Sequence, residues 1–130
     1  MHIRLMLFSA LFASLLVACD YTIELAGQYR LMRLSGGDYF ALYWPLDYGE
    51  GLIVGPTVAR YHDSRTLIVG LVTPPPGEPE GYREGYFLVD KKARKAYFGL
   101  TKDEWLSKLH AYGVEQEPHL SRPNRLHAWF

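Results

Sequence analysis

The chain has 130 residues, 14 lysines and arginines against 14 aspartates and glutamates, and a single cysteine. A formal charge near zero gives no electrostatic footprint for nucleic acid. One thiol excludes an internal disulfide framework and a cysteine-built zinc site, while the length suits one domain.

The first residues, Met1-His2-Ile3-Arg4, are basic, and residues 5–16 are an apolar run that ends in Leu16-Val17-Ala18-Cys19. Charge, apolar length and small residues before the cysteine fit a cleaved secretory signal peptide over residues 1–18. The run is short for a membrane span, which takes about 20 apolar residues. The Leu-Val-Ala-Cys motif resembles the lipobox of bacterial lipoproteins. That resemblance implies cleavage before Cys19, a thioether-linked diacylglycerol on its sulfur and, as a rule, a third acyl chain on its new amino group. The lipid bilayer is then the first partner. One acyl chain binds only marginally, at about 0.8 kcal/mol per buried CH₂, so two or three would make release negligible.

Lipidation would also consume the only thiol, leaving no cysteine ligand or nucleophile in the mature chain. Without Arg4 the mature charge is near −1, from 13 basic and 14 acidic residues. Asp20 resembles the signal that keeps a lipoprotein at the inner membrane in enteric bacteria; other bacteria read that position differently, so inner and outer membrane both stay open.

Residues 19–26 read as a lipidated N-terminus and tether, with apolar character enough to pack on the domain. Residues 27–130 read as the domain itself. Residues 28–34 and 39–44 flank Ser35-Gly36-Gly37-Asp38, a hairpin signal. Residues 58–61 and 66–72 flank the polar turn His62-Asp63-Ser64-Arg65. Residues 86–89 and 96–100 flank a charged connection over 90–95. Leu67-Ile68-Val69-Gly70-Leu71-Val72 and Tyr86-Phe87-Leu88-Val89 are apolar on both faces, as in a strand at the centre of a sheet covered on two sides.

The cover for the second face is a helix over 101–112. Thr101-Lys102-Asp103-Glu104 is a capping box, Trp105, Leu106, Leu109 and Tyr112 share one face, and Gly113 stands at the stop. Pro74-Pro75-Pro76-Gly77-Glu78-Pro79-Glu80-Gly81 offers few ladder donors and reads as an extended, polyproline-like loop. The tail over 115–130 ends in Leu126-His127-Ala128-Trp129-Phe130, apolar enough to pack back on the domain or to serve as a contact.

Candidate chemistry is sparse. His62-Asp63-Ser64 holds the three residue types of a hydrolytic triad, yet three consecutive turn residues point apart, and Asp and Ser serve turns by bonding nearby backbone. Beyond the leader, His62, His110, His119 and His127 form no HExxH motif and no short His-x-His pair, so no metal is expected. Gly36-Gly37 and the series Gly49, Gly51 and Gly55 match no phosphate loop. Glycan cleavage would need two carboxylates on rigid elements. Glu24, Asp38, Asp47, Glu50 and Glu84 lie near aromatics without singling out a pair.

Contact residues are better represented. All ten tyrosines lie beyond the leader, which favours strands and supplies a contact surface. On a strand, Tyr39, Ala41 and Tyr43 face one way and Phe40, Leu42 and Trp44 the other. One set belongs to the core; the other is covered by the helix or left exposed, with Trp44 and Tyr48 beside it, for a protein or glycan. Glu78 and Glu80 would suit a basic target. Arg122 and Arg125, mixed with Trp129 and Phe130, would suit a lipid interface or an acidic partner.

The whole predicts a single α+β domain, an antiparallel β-meander of five to seven strands with one C-terminal-half helix packed on one face. The function read from it is that of an envelope lipoprotein, facing the periplasm or the exterior, that binds another envelope protein or a glycan without catalysis. In its sharper form it is an inhibitor or immunity-type lipoprotein. Two other classes stand beside it: a small hydrolase of peptidoglycan or glycan, and a structural subunit of an envelope assembly. No cofactor, nucleotide or nucleic acid is expected.

Overall fold

The computed structural model describes residues 21–34, 39–48, 51–55, 57–73 and 84–124, with backbone alone at Leu34, Tyr39 and Tyr48. Among these residues, eight antiparallel strands form two four-stranded sheets, each running in chain order. The first sheet holds β1 (Thr22–Glu24), β2 (Arg30–Leu34), β3 (Tyr39–Tyr43) and β4 (Leu52–Val54). The second holds β5 (Val58–Asp63), β6 (Leu67–Val72), β7 (Gly85–Asp90) and β8 (Lys95–Leu100), and helix α1 (Lys102–Ala111) follows.

The fold is therefore α+β and mostly β, as expected. The expected single meander of five to seven strands is corrected to two sheets of four. β1 and β4 are three residues each, too short to show alternation in the sequence. The chain changes sheet at Gly55-Pro56-Thr57, where a proline offers no ladder donor. Part of the stretch read as a tether packs on the domain, as its apolar character allowed. Thr22–Glu24 pairs with β2, and Ile23 is only 1% exposed.

Pairing register explains the core. Ile23, Leu31, Leu42 and Val54 stand in one row across the first sheet and share its inner face with Phe40. They meet Ile68, Val72, Phe87 and Val89 on the inner face of the second sheet, forming one cluster between the sheets. Within the second sheet, Gly70 leaves room for the ring of its cross-strand neighbour Phe87: a Cβ there would fall 2.6 Å from that ring and 2.3 Å from the Arg60 carbonyl oxygen.

The central strands β6 and β7 are covered on both faces, as their apolar runs require. Leu67, Val69 and Leu88 pack against Trp105 and Leu109 of α1. Trp105 is fully buried, its Nε1 donates to the Phe87 carbonyl at 3.0 Å, and its ring stacks on Tyr86 at 4.6 Å between centroids. The capping box forms as read: the Thr101 hydroxyl accepts from the Glu104 N–H, and the Glu104 carboxylate accepts from the Thr101 N–H. At the other end the Gly113 N–H bonds the His110 carbonyl and the Val114 N–H bonds that of Leu109. Gly113 has φ +84°, the left-handed residue of a Schellman stop.

The first part of the tail packs on the domain. Val114 and Leu120 lie against the helix-side cluster. Ser121 exchanges two 2.9 Å backbone bonds with Tyr61, covering part of the free edge of β5. The apolar end over 126–130 lies outside the described residues.

Candidate functional site

The two ends of the sandwich differ in construction. At the end where β1 runs on into Ala26, Lys91 is a fastening point. Its Nζ donates to Asp63 Oδ1 and to the carbonyls of Ala26 (2.8 Å) and Ser64 (2.7 Å), and it lies 5.5 Å from the Tyr29 ring centroid. Asp63 Oδ2 accepts the Ala26 N–H at 2.9 Å. A single ammonium thus spends its three protons tying the first sheet to two turns of the second. Burial, above all, raises the Tyr29 hydroxyl pKa.

The opposite end, where Tyr21 leads into β1, is open. A cavity of about 600 Å³ lies there, walled by Tyr21, Phe40, Val58 and Leu71 and rimmed by Arg60, Thr73 and Arg122. The register shift between Val58 and Arg60 lies along its wall: such a bulge bends the edge strand and re-aims its side chains. Tyr21 meets Phe40 edge-on at 5.7 Å, and the Arg33 guanidinium lies 5.7 Å from the Tyr21 centroid. A second hollow of about 410 Å³ adjoins, sharing Arg60 and Leu71 and reaching Lys102 and His119.

A third cavity, about 550 Å³, lies beside Leu67, Asp90 and Tyr112. Burial pushes the Asp90 carboxyl up, but hydrogen bonds from Ala93 N–H, the Tyr112 hydroxyl and Lys92 N–H outweigh it, with help from the Lys92 charge. The net effect holds Asp90 below its ordinary value. Burial, then hydrogen bonds with Asp90 and Tyr97, raises the Tyr112 hydroxyl pKa. Asp90 Oδ1 closes the β7–β8 turn through Lys92 and Ala93, so its bonds are structural.

Of the contact candidates read from the sequence, the structure places three with their side chains. Tyr43 is half-buried on the outer face of the first sheet, opposite Leu52. Trp44 is half-buried against the core, its ring 6.0 Å from Tyr29. Arg122 is exposed at the rim of the cavity beside Tyr21. Tyr39 and Tyr48 are placed by backbone alone; Cys19, Glu78, Glu80, Arg125, Trp129 and Phe130 lie outside the described residues. The helix covers the second sheet, so the outer face of the first sheet, with Met32, Tyr43 and Leu52, is not the face beneath α1.

The turn reading holds for Ser64, whose hydroxyl both donates to and accepts from the Leu67 backbone; Asp63 instead ends β5 and engages Lys91 and Ala26 across the fold. His62, His110 and His119 are exposed, as are the carboxylate-bearing Glu24, Asp47 and Glu84. Among the described residues no group of three or more His, Cys, Asp or Glu could hold a metal, and no helix is long and apolar enough to cross a membrane. Sequence reasoning missed Arg60, Tyr21 and Lys91. Arg60 had a weak signal, a lone cation inside the otherwise apolar run over 58–61; the others depend on contacts across the fold. Comparison with known protein families, curated proteins and solved structures yields no match.

Proposed function

We propose that the chain is a lipid-anchored lipoprotein of the bacterial envelope whose domain is a non-enzymatic protein-interaction module, in its sharper form an inhibitor or immunity-type protein. The anchor rests on the leader and on Leu16-Val17-Ala18-Cys19. The observation that supports the interaction role is an apolar surface beside β3 and β4. Leu46 is 67% exposed and Leu52 52% exposed, and Leu52 stands opposite Tyr43 on the sheet face that α1 leaves uncovered. Large apolar side chains left exposed on an uncovered sheet face fit a contact surface.

Two measurements test this reading. Cys19→Ala should abolish fatty-acid labelling and membrane recovery; labelled, membrane-bound protein persisting in that variant would sink the anchor. A photo-crosslinking residue at Leu52 should give one discrete protein adduct in intact envelopes, whereas the same residue at His110, exposed on α1, should give none. No adduct at Leu52, or the same adducts from both positions, would rule out this surface.

A further inference from the structure

We infer that the cavity at the Tyr21 end is a binding site for an anionic phospholipid, taking the headgroup phosphate at its rim and the first methylenes against its wall. The source of the ligand rests on the proposed anchor; the chemistry of the site does not. Its volume, about 600 Å³, falls in the range of small-molecule sites, about 300–1,000 Å³.

The lining has two characters that must be met together. Tyr21, Phe40, Val58 and Leu71 supply an apolar wall, while Arg60 and Arg122 supply two cations, and no acidic residue contributes among the described residues. Both arginines are exposed, and neither guanidinium has a hydrogen bond or ion pair among the described residues. Arg33, lying over Tyr21, adds positive charge at the same end. Two guanidinium groups suit the planar, bidentate recognition of a phosphate.

A phosphate alone would leave the apolar wall wet. A stacking ligand such as a nucleotide is a poor match as well, because Tyr21 and Phe40 meet edge-on and Arg33 occupies a face of Tyr21. An acyl-bearing phosphate satisfies wall and rim at once.

Position indicates where such a ligand would come from. Cys19 is two residues before Tyr21, and two extended residues span at most about 7 Å. An anchor at Cys19 therefore holds this open end, rather than the Lys91 end, against the lipid headgroups. Basic groups held at such a surface are further drawn to anionic lipids.

The test uses the intact chain in phosphatidylcholine nanodiscs containing a minor fraction of diazirine-bearing phosphatidylglycerol. Light should attach the probe to peptides containing residues 58–60 and 122–123, and the double variant Arg60→Gln, Arg122→Gln should lower that labelling at least about tenfold. Equal labelling by a diazirine-bearing phosphatidylcholine, or labelling unchanged in the double variant, would overturn the site. Loss of labelling in excess inorganic phosphate would overturn the amphipathic ligand and assign a plain anion site. Since both arginines are exposed, an unchanged thermal transition verifies folding of the variant. Titrating the Cys19→Ala chain with soluble dihexanoylphosphatidylglycerol separates the two inferences. Saturable binding there without membrane recovery of the native protein refutes only the anchor; no binding there refutes the site.

Discussion

Lys91→Met is the sharpest test of how the two sheets are held together. Methionine keeps most of the stem volume, so little cavity is added, and the change removes only the ammonium. Three acceptors lose their donor: Asp63 Oδ1, the Ala26 carbonyl and the Ser64 carbonyl. The Lys91 side chain is 7% exposed and that of Asp63 19%, so water screens the stranded carboxylate only in part. Removing one partner of a buried ion pair costs about 3–5 kcal/mol. Asp63 keeps its bond from the Ala26 N–H and some solvent, which places the loss near the lower figure, about 3 kcal/mol. A domain of this size has about 5–15 kcal/mol in all, so the urea midpoint should fall by roughly 2 M. Tryptophan fluorescence in equilibrium urea titrations reads this directly. The double variant Asp63→Leu, Lys91→Met should recover part of the loss, because it removes both charges rather than stranding one. A loss under about 1 kcal/mol, or single changes that simply add, would refute the fastening role.

Three further outcomes follow from the packing and electrostatics. Gly70→Ala should destabilise by about 1–3 kcal/mol through overpacking, because its Cβ would meet the Phe87 ring and the Arg60 carbonyl of the neighbouring strands; a thermal melt within a degree of the parent would show that Phe87 does not pack over Gly70. Trp105→Phe should cost about 1–3 kcal/mol by removing the indole donor from the buried Phe87 carbonyl, a loss absent if near-ultraviolet dichroism and melting are both unchanged. Asp90 is held below its ordinary value of 3.8, so its contribution is complete above that range and is lost as pH falls through the lower folded value. The stability advantage of the native chain over Asp90→Asn should therefore shrink below pH 3.8, and an advantage independent of pH would contradict the assignment.

Much of the fold was legible because most of it is local. The three hairpins fall within a residue or two of their turn signals, and residues 101–104 announce the helix start through two side chains that each bond the other residue's backbone. The doubly apolar runs identified β6 and β7 as central strands, since a strand wet on one face would show alternation. The division into two sheets was not legible. Alternation tells which side of a strand is buried, not which sheet the strand joins, and three-residue strands such as β1 and β4 barely alternate at all. The sites suffered more from the same limit. Lys91 meets Ala26 across 65 positions and Asp63 across 28, and Arg60 and Arg122 line one cavity only because the tail returns to the edge of β5. The tyrosine-rich stretch announced contact residues but not its partition: Phe40 went to the core and Tyr43 to the outer face.

The opposed construction of the two ends bears on how stability and binding can coexist. Ligand sites are drawn from the less stable parts of a fold, and here the fastening and the opening lie at opposite ends of the core between the sheets. Ile68, Phe87 and Val89, each no more than 1% exposed, sit between them and belong to the same cluster as Phe40. A lipid entering beside Tyr21 and Arg60 therefore has no need to part the sheets or to disturb Lys91. The two properties should separate: Lys91→Met lowers the urea midpoint while leaving lipid labelling at residues 58–60 intact, and Arg60→Gln does the reverse. If both variants weakened labelling in proportion to their stability loss, the cavity would be a product of the fold's breathing rather than a formed site. Independence of the two would mean that the sandwich is closed where the chain is far from the proposed anchor and open where it is near.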